Sequence, residues 1–219
     1  MPLRPPAADV LVAAADVRAR ADASEDWTAL ADRARGCTAC PELAAARTLV
    51  VVGTAPPGAR VLLLGEAPGA QEDATGRPFV GRAGQLLDTL LAEAGLPRAD
   101  VAVLNVLKCR PPGNRAPTRA EATRCRGWLD RQLTLVDPVV VVTLGTSATV
   151  ALLGRISSLA AARAASPHPG PGTLAGAHLL ATYHPSAAIR FGPRGLPRAA
   201  LAEDLARARR LAEPPVAGE

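Results

Sequence analysis

Residues 61–69 read VLLLGEAPG: four apolar residues run directly into Gly65-Glu66-Ala67-Pro68-Gly69. An unbroken apolar run of this length suits a strand buried on both faces, and a turn rich in glycine and proline ends it abruptly. The same design recurs at Val101 to Val106, Val139 to Leu144 and His178 to Thr182, giving four strand candidates. Between them lie helical patterns. Gln85 to Ala94 is closed by Gly95. A second helix starts at Thr118 with Glu121 in capping-box spacing and stops before Asp137-Pro138, and shorter ones span Thr146 to Leu153 and Arg198 to Leu211, the last opened by Pro197. Strands alternating with helices require right-handed crossovers. The expected fold class is therefore α/β, three layers α/β/α around a central four-stranded parallel sheet, with ligands bound beyond the carboxyl ends of the strands.

Length and composition agree with this. The 219 residues suffice for one buried domain, and a chain that is 48% hydrophobic but 2% aromatic must build its core from Val, Leu and Ala. The main domain is assigned to residues 24–212, preceded by an N-terminal extension over 1–23, poorly ordered or helical, and followed by a flexible tail over 213–219. Within the body, Ser24 is the expected cap of a helix to residue 36, with Trp27, Leu30, Ala31 and Ala34 on one face. Ala160 to Gly176 reads as an irregular connection. No run of 18 apolar residues and no charged head before an apolar core occurs, so the expectation is a soluble, cytoplasmic monomer without membrane contact. The 25 Lys and Arg against 20 Asp and Glu give a formal charge of +5, mostly through Arg. Arg forks onto phosphate, which admits nucleic acid as a partner; Arg-, Ala- and Gly-rich usage is equally what a GC-rich genome produces.

Four cysteines are present: Cys37 and Cys40 as C-x2-C, then Cys109 and Cys125 with fifteen residues between them. In a chain without a secretion signal, metal binding is the leading reading, and four thiolates suit either a [4Fe-4S] cluster or zinc. The spacing leaves both open.

The polar segments after the strands hold the remaining candidates. Gly65 to Gly69 continues through Glu72-Asp73 to Gly76-Arg77-Pro78-Phe79-Val80-Gly81, where Phe79 is either a stacking surface for a base or a core residue. Asn105 ends the second strand, as a turn residue or as a paired donor and acceptor for a pyrimidine edge. His184, in Tyr183-His184-Pro185-Ser186, is the one histidine at a strand terminus beside a proline-fixed turn. His168 and His178 are read as structural or exposed. A phosphate-binding turn for a nucleotide cofactor is disfavoured, because Gly65 to Gly69 lacks G-x-G-x-x-G spacing and no phosphate-loop lysine follows.

In order, G-E-A-P-G-x-x-E-D, G-R-P-F-V-G-x-A-G-Q-L-L, N-x-x-K-C-R-P-P-x-N-R and H-P-S closely resemble the iron-sulfur uracil-DNA glycosylases of family 4, and the cysteine positions match that family's cluster ligands. The resemblance runs from about Cys37 to Arg190. It implies excision of uracil from DNA in base excision repair, a [4Fe-4S] cluster on Cys37, Cys40, Cys109 and Cys125, and uracil-containing DNA as partner. Carried over by position, Glu66 and Ala67 line the uracil pocket, Glu72 supports it, Phe79 stacks on uracil, Asn105 bonds its O4 and N3-H, and His184 faces O2. Pro185, Ser186, Ile189 and Arg190 would grip phosphate and fill the gap in the duplex, with Arg115 as a further DNA contact. Ala67 stands where other families carry a water-positioning Asp. Glu66 and Glu72 are thus the candidates for that role, while Asp73 is read as a solvated neighbour. A related branch grips its product covalently through a histidine after the second strand; here Cys109-Arg110-Pro111-Pro112 occupies that place.

Overall fold

The computed structural model describes residues 6–214. Its elements, in order, are α1 (Ala8–Asp22), α2 (Trp27–Arg35), α3 (Pro41–Ala46), β1 (Val61–Gly65), α4 (Ala70–Thr75), α5 (Arg82–Glu93), β2 (Val101–Asn105), α6 (Arg119–Val136), β3 (Val140–Leu144), α7 (Thr146–Leu153), α8 (Leu159–Ala164), β4 (His168–Pro169), β5 (His178–Thr182), α9 (Pro185–Phe191) and α10 (Leu196–Ala212). The sheet order is β2-β1-β3-β5-β4. β2, β1, β3 and β5 are mutually parallel and in register, with Gly65 beside Asn105 and Leu144 beside Thr182.

The expected four-stranded sheet gains a fifth strand. β4 is a two-residue antiparallel edge on β5, within the segment read as irregular, where α8 also forms. An edge tolerates Pro169, which has no N–H to offer a further neighbour. The helix expected from Ser24 starts later. Asp26 accepts from Ala29 N at 2.8 Å as its cap, while the buried Ser24 hydroxyl bonds Arg20 O.

Every residue of β1, β2 and β3 is buried because both faces are covered. Leu63, Val103 and Val142 pack with Leu87, Leu91, Leu201 and Leu205 of α5 and α10. Leu62, Leu104 and Val141 pack with Leu129, Leu133 and Leu152 of α6 and α7. A third cluster joins Val17, Leu30, Leu43, Leu107 and Trp128 around the cysteines. It draws in α1, which lies against α6 so closely that a Cβ on Gly127 would sit 2.8 Å from the Arg18 backbone. The tail assigned to 213–219 lies, past Pro214, outside the described residues, as do residues 1–5 of the N-terminal extension.

Candidate active site

At the carboxyl ends of β1, β2, β3 and β5 a single pocket is lined by Glu66, Ala67, Glu72, Phe79, Asn105 and His184, together with Gly145, Thr146 and Ser186. Sequence-distant residues meet here because four parallel strands end in register. Gly65 has no side chain, and that absence makes room. A Cβ there would lie 2.4 Å from Asn105 Oδ1 and 2.5 Å from the Phe79 ring.

Phe79 has φ 53°, a left-handed conformation uncommon for an aromatic residue. The loop is clamped by Glu72, whose Oε1 accepts from Val80 N and Gly81 N at 2.8 Å each and whose Oε2 accepts from Gly69 N at 3.1 Å. The carboxylate thus holds the ring in place from behind. The Phe79 and His184 rings lie 5.7 Å apart, inclined at 35°.

Asn105 is 2% exposed, and its Oδ1 is buried without a hydrogen-bond partner. A buried acceptor left unpaired costs about 1–3 kcal/mol, so this oxygen marks the place of an incoming donor. His184 caps α9: its Nδ1 accepts from Ser186 N at 3.1 Å and lies 2.8 Å from Ser186 Oγ. Accepting at Nδ1 puts the ring proton on Nε2. Burial lowers the His184 pKa to about 4, against a smaller upward pull from Glu72, so the imidazole is neutral near pH 7.

The other expected residues divide. Pro185 is buried, Ser186 bonds His184, Ile189 is half-buried and Arg190 is exposed with its guanidinium 5.3 Å from the Phe191 ring. Arg115 is not brought to the pocket. Its guanidinium forks onto Glu121 at 2.7 and 2.9 Å and reaches Glu42 at 3.3 Å, which holds the Glu121 carboxyl below its usual range. Asp73, read as solvated, is 2% exposed and accepts from the backbone N of Thr48 and Leu49. Ser147 was not singled out in the sequence; its hydroxyl donates to Glu66 Oε2 at 2.5 Å.

Beneath the pocket, Cys37, Cys40, Cys109 and Cys125 line a second cavity with Arg47, Lys108 and Arg124. Among the described residues no three His, Cys, Asp or Glu side chains are placed to hold a single ion. The donor set is nonetheless all sulfur. Burial, then the neighbouring thiols, pushes Cys40 up to about 12; burial likewise raises Cys125 to about 12. Arg47 donates to Cys109 Sγ at 3.2 Å and to Cys37 O, and the buried Lys108 ammonium donates to Asn105 O at 2.6 Å. Three cations around four thiols fit an anionic thiolate-bound group, and Ala67, which lines the strand-end pocket, also packs against the hydrophobic cluster around the cysteines.

Residues 52–206 match the profile of the Uracil DNA glycosylase superfamily. The chain belongs to this superfamily. A Type-4 uracil-DNA glycosylase of Thermotoga maritima is 42% identical over 182 residues, covering 82% of the chain and 91% of the relative. One of Sulfurisphaera tokodaii is 40% identical, covering 77% of each. A Type-5 uracil-DNA glycosylase of Thermus thermophilus is 37% identical, covering 74% of the chain and 87% of the relative. With its ordered motifs and four cysteines, the chain is a family 4 member of the uracil-DNA glycosylases. Among the described residues, no helix is long and apolar enough to cross a membrane.

Proposed function

We propose that the protein hydrolyses the N-glycosidic bond of deoxyuridine in DNA, releasing uracil and leaving an abasic site. The observation that carries this is the buried, unpartnered Oδ1 of Asn105, set between Phe79 and a neutral His184. Uracil offers N3–H to that oxygen and O4 to the amide NH2. Cytosine presents a bare N3 and an amino group instead, leaving the asparagine unpaired, so the same amide rejects the normal base. Phe79 supplies the face on which the extruded base stacks, and extrusion itself costs a few kcal/mol that such contacts offset. Thymine exclusion has no comparable residue.

As the C1′–N1 bond lengthens, charge grows on uracil O2. A donor aimed there stabilises the transition state more than the ground state, a contact typically worth ~3 kcal/mol. His184 Nε2–H is that donor, held by Ser186 at the opposite nitrogen. Glu72 is a positioning residue, since backbone N–H groups engage both its oxygens. Glu66 keeps Oε1 for the pocket and is the partner of the attacking water. Arg190, exposed at the end of α9, faces the DNA backbone.

The four cysteines would hold a [4Fe-4S] cluster. When bound, it supplies iron–thiolate bonds tying the segment of Cys37 and Cys40 to Cys109 after β2 and Cys125 in α6. Lys108, Arg47 and Arg124 offset its charge. Such a thiolate site suits a reducing cytoplasm. Iron and acid-labile sulfide in the purified protein support this assignment; zinc alone after anaerobic purification overturns it. The activity is tested on oligonucleotides carrying uracil, cytosine or thymine at one position. Cleavage at uracil alone, abolished by His184→Ala and Asn105→Ala in folded protein, is expected; equal cleavage by both variants refutes the assignment.

A further inference from the structure

Of the three carboxylates near the pocket, two have their oxygens engaged by backbone N–H groups: Glu72 by Gly69, Val80 and Gly81, and Asp73 by Thr48 and Leu49. Glu66 differs. Its Oε2 is bonded to a hydroxyl from another strand end, that of Ser147, on the first turn of α7. Ser147 does not line the uracil pocket. It lines the hollow on the other side, with Val106, Thr118, Ala122 and Ala151, and so reaches the chemistry only through Glu66.

The base of α7 is itself registered on the His184 strand. Gly145 N donates to Thr182 O at 2.9 Å, and a Cβ on Gly145 would stand 3.1 Å from His184 Cβ. The Ser147–Glu66 bond therefore fixes the Glu66 carboxylate relative to the histidine, across the ends of β1, β3 and β5.

We infer that Ser147 is a positioning residue for the attacking water: by fixing Glu66 through Oε2, it sets where Oε1 holds the nucleophile. This rests on Glu66 being the water's partner. In the step concerned, C1′–N1 breaks and its electron pair leaves on uracil. The water oxygen bonds to C1′ and its proton passes to Glu66 Oε1, then through solvent to the departing base. A water held at one place is also a selective nucleophile, because an alcohol carries an alkyl group where water carries its second proton and does not fit that place equally well. Loss of the hydroxyl frees the carboxylate to rotate, which slows capture and relaxes the choice of nucleophile.

The test compares Ser147→Ala, Ser147→Thr and Glu66→Gln in single-turnover cleavage of a uracil-containing duplex, with and without methanol as a competing nucleophile. A hydrogen bond to a charged group corresponds to about ten- to a hundred-fold in rate. Ser147→Ala is expected to lose that much in the chemical step with DNA affinity within about twofold, and Ser147→Thr to recover to within about threefold. In aqueous methanol, Ser147→Ala should give a larger share of methyl deoxyriboside product than wild type, read by mass spectrometry. If Ser147→Ala cleaves at the wild-type rate while Glu66→Gln is slow, the inference fails and the role of Glu66 stands. A wild-type rate for Glu66→Gln removes both. A slow Ser147→Ala with unchanged product partition and no rescue by threonine reduces Ser147 to a structural residue and overturns the inference.

Discussion

The neutral His184 makes a quantitative prediction about pH. Burial lowers its pKa from an ordinary 6.5 to about 4. An exposed histidine would be about a quarter neutral at pH 6 and about 3% neutral at pH 5; His184 stays about 99% and 90% neutral. If the neutral Nε2–H donor is required, single-turnover cleavage should show no limb from this group between pH 8 and 5, and lose activity only toward pH 4. The same displacement links to stability. The folded pKa lies below the unfolded one, so the unfolded chain binds the extra proton between pH 6.5 and 4, and the folded state weakens as pH falls through that window. The limit is about 3 kcal/mol, at 1.36 kcal/mol per pH unit. The assay is a pH–rate profile paired with imidazole nitrogen shifts, which should report protonation at Nε2 alone at pH 5.5. Imidazole signals titrating near 6.5 in step with the rate would refute the neutral-donor mechanism.

Three substitutions separate residues that shape the pocket from residues that only adjoin it in sequence. Gly65→Ala puts a methyl group 2.4 Å from Asn105 Oδ1 and 2.5 Å from Phe79, so it should cost about 1–3 kcal/mol in thermal unfolding and sharply weaken uracil binding. Unchanged binding would mean that Asn105 and Phe79 do not form the recognition surface. Arg115→Ala removes the fork on the nearly buried Glu121 and should lower the midpoint of thermal unfolding, with DNA affinity within about twofold of wild type, whereas Arg190→Ala should lower affinity. The reverse pattern in a DNA titration would assign the DNA contact to Arg115 instead of Arg190.

The strands were legible because burial on both faces leaves a direct mark: Val61 to Leu64 and Val139 to Leu144 have no polar alternation to confuse with a surface strand. The Thr118–Glu121 box marked the start of α6 for a similarly local reason, with Glu121 Oε2 accepting from Thr118 N at 2.8 Å. In the fold the capping glutamate also takes the guanidinium of Arg115, three residues before Thr118, a pairing that the spacing alone does not announce. β4 left no trace, because two residues are held in strand geometry only by their register on β5. α1 buries a face of just Val10, Val17 and Ala21 on an alanine-rich background, too sparse a stripe to announce how closely it packs on α6. The burial of Asp73 and the role of Ser147 are not legible in the sequence for a common reason: their partners come from other strand ends and loops, which no local spacing encodes. Asn105, Phe79 and His184 were readable as candidates from their places after the strands, but their convergence on one pocket depends on parallel pairing in register.

Catalytic excision of uracil at the strand ends is read out by turnover. Protein is mixed with a large excess of duplex bearing a single uracil, and free uracil and abasic sites are counted per molecule of protein. Many equivalents of both are expected, in equal number, with cytosine and thymine at the same position left intact. Release that stops at one equivalent, with protein cross-linked to DNA on a denaturing gel, would contradict catalytic excision.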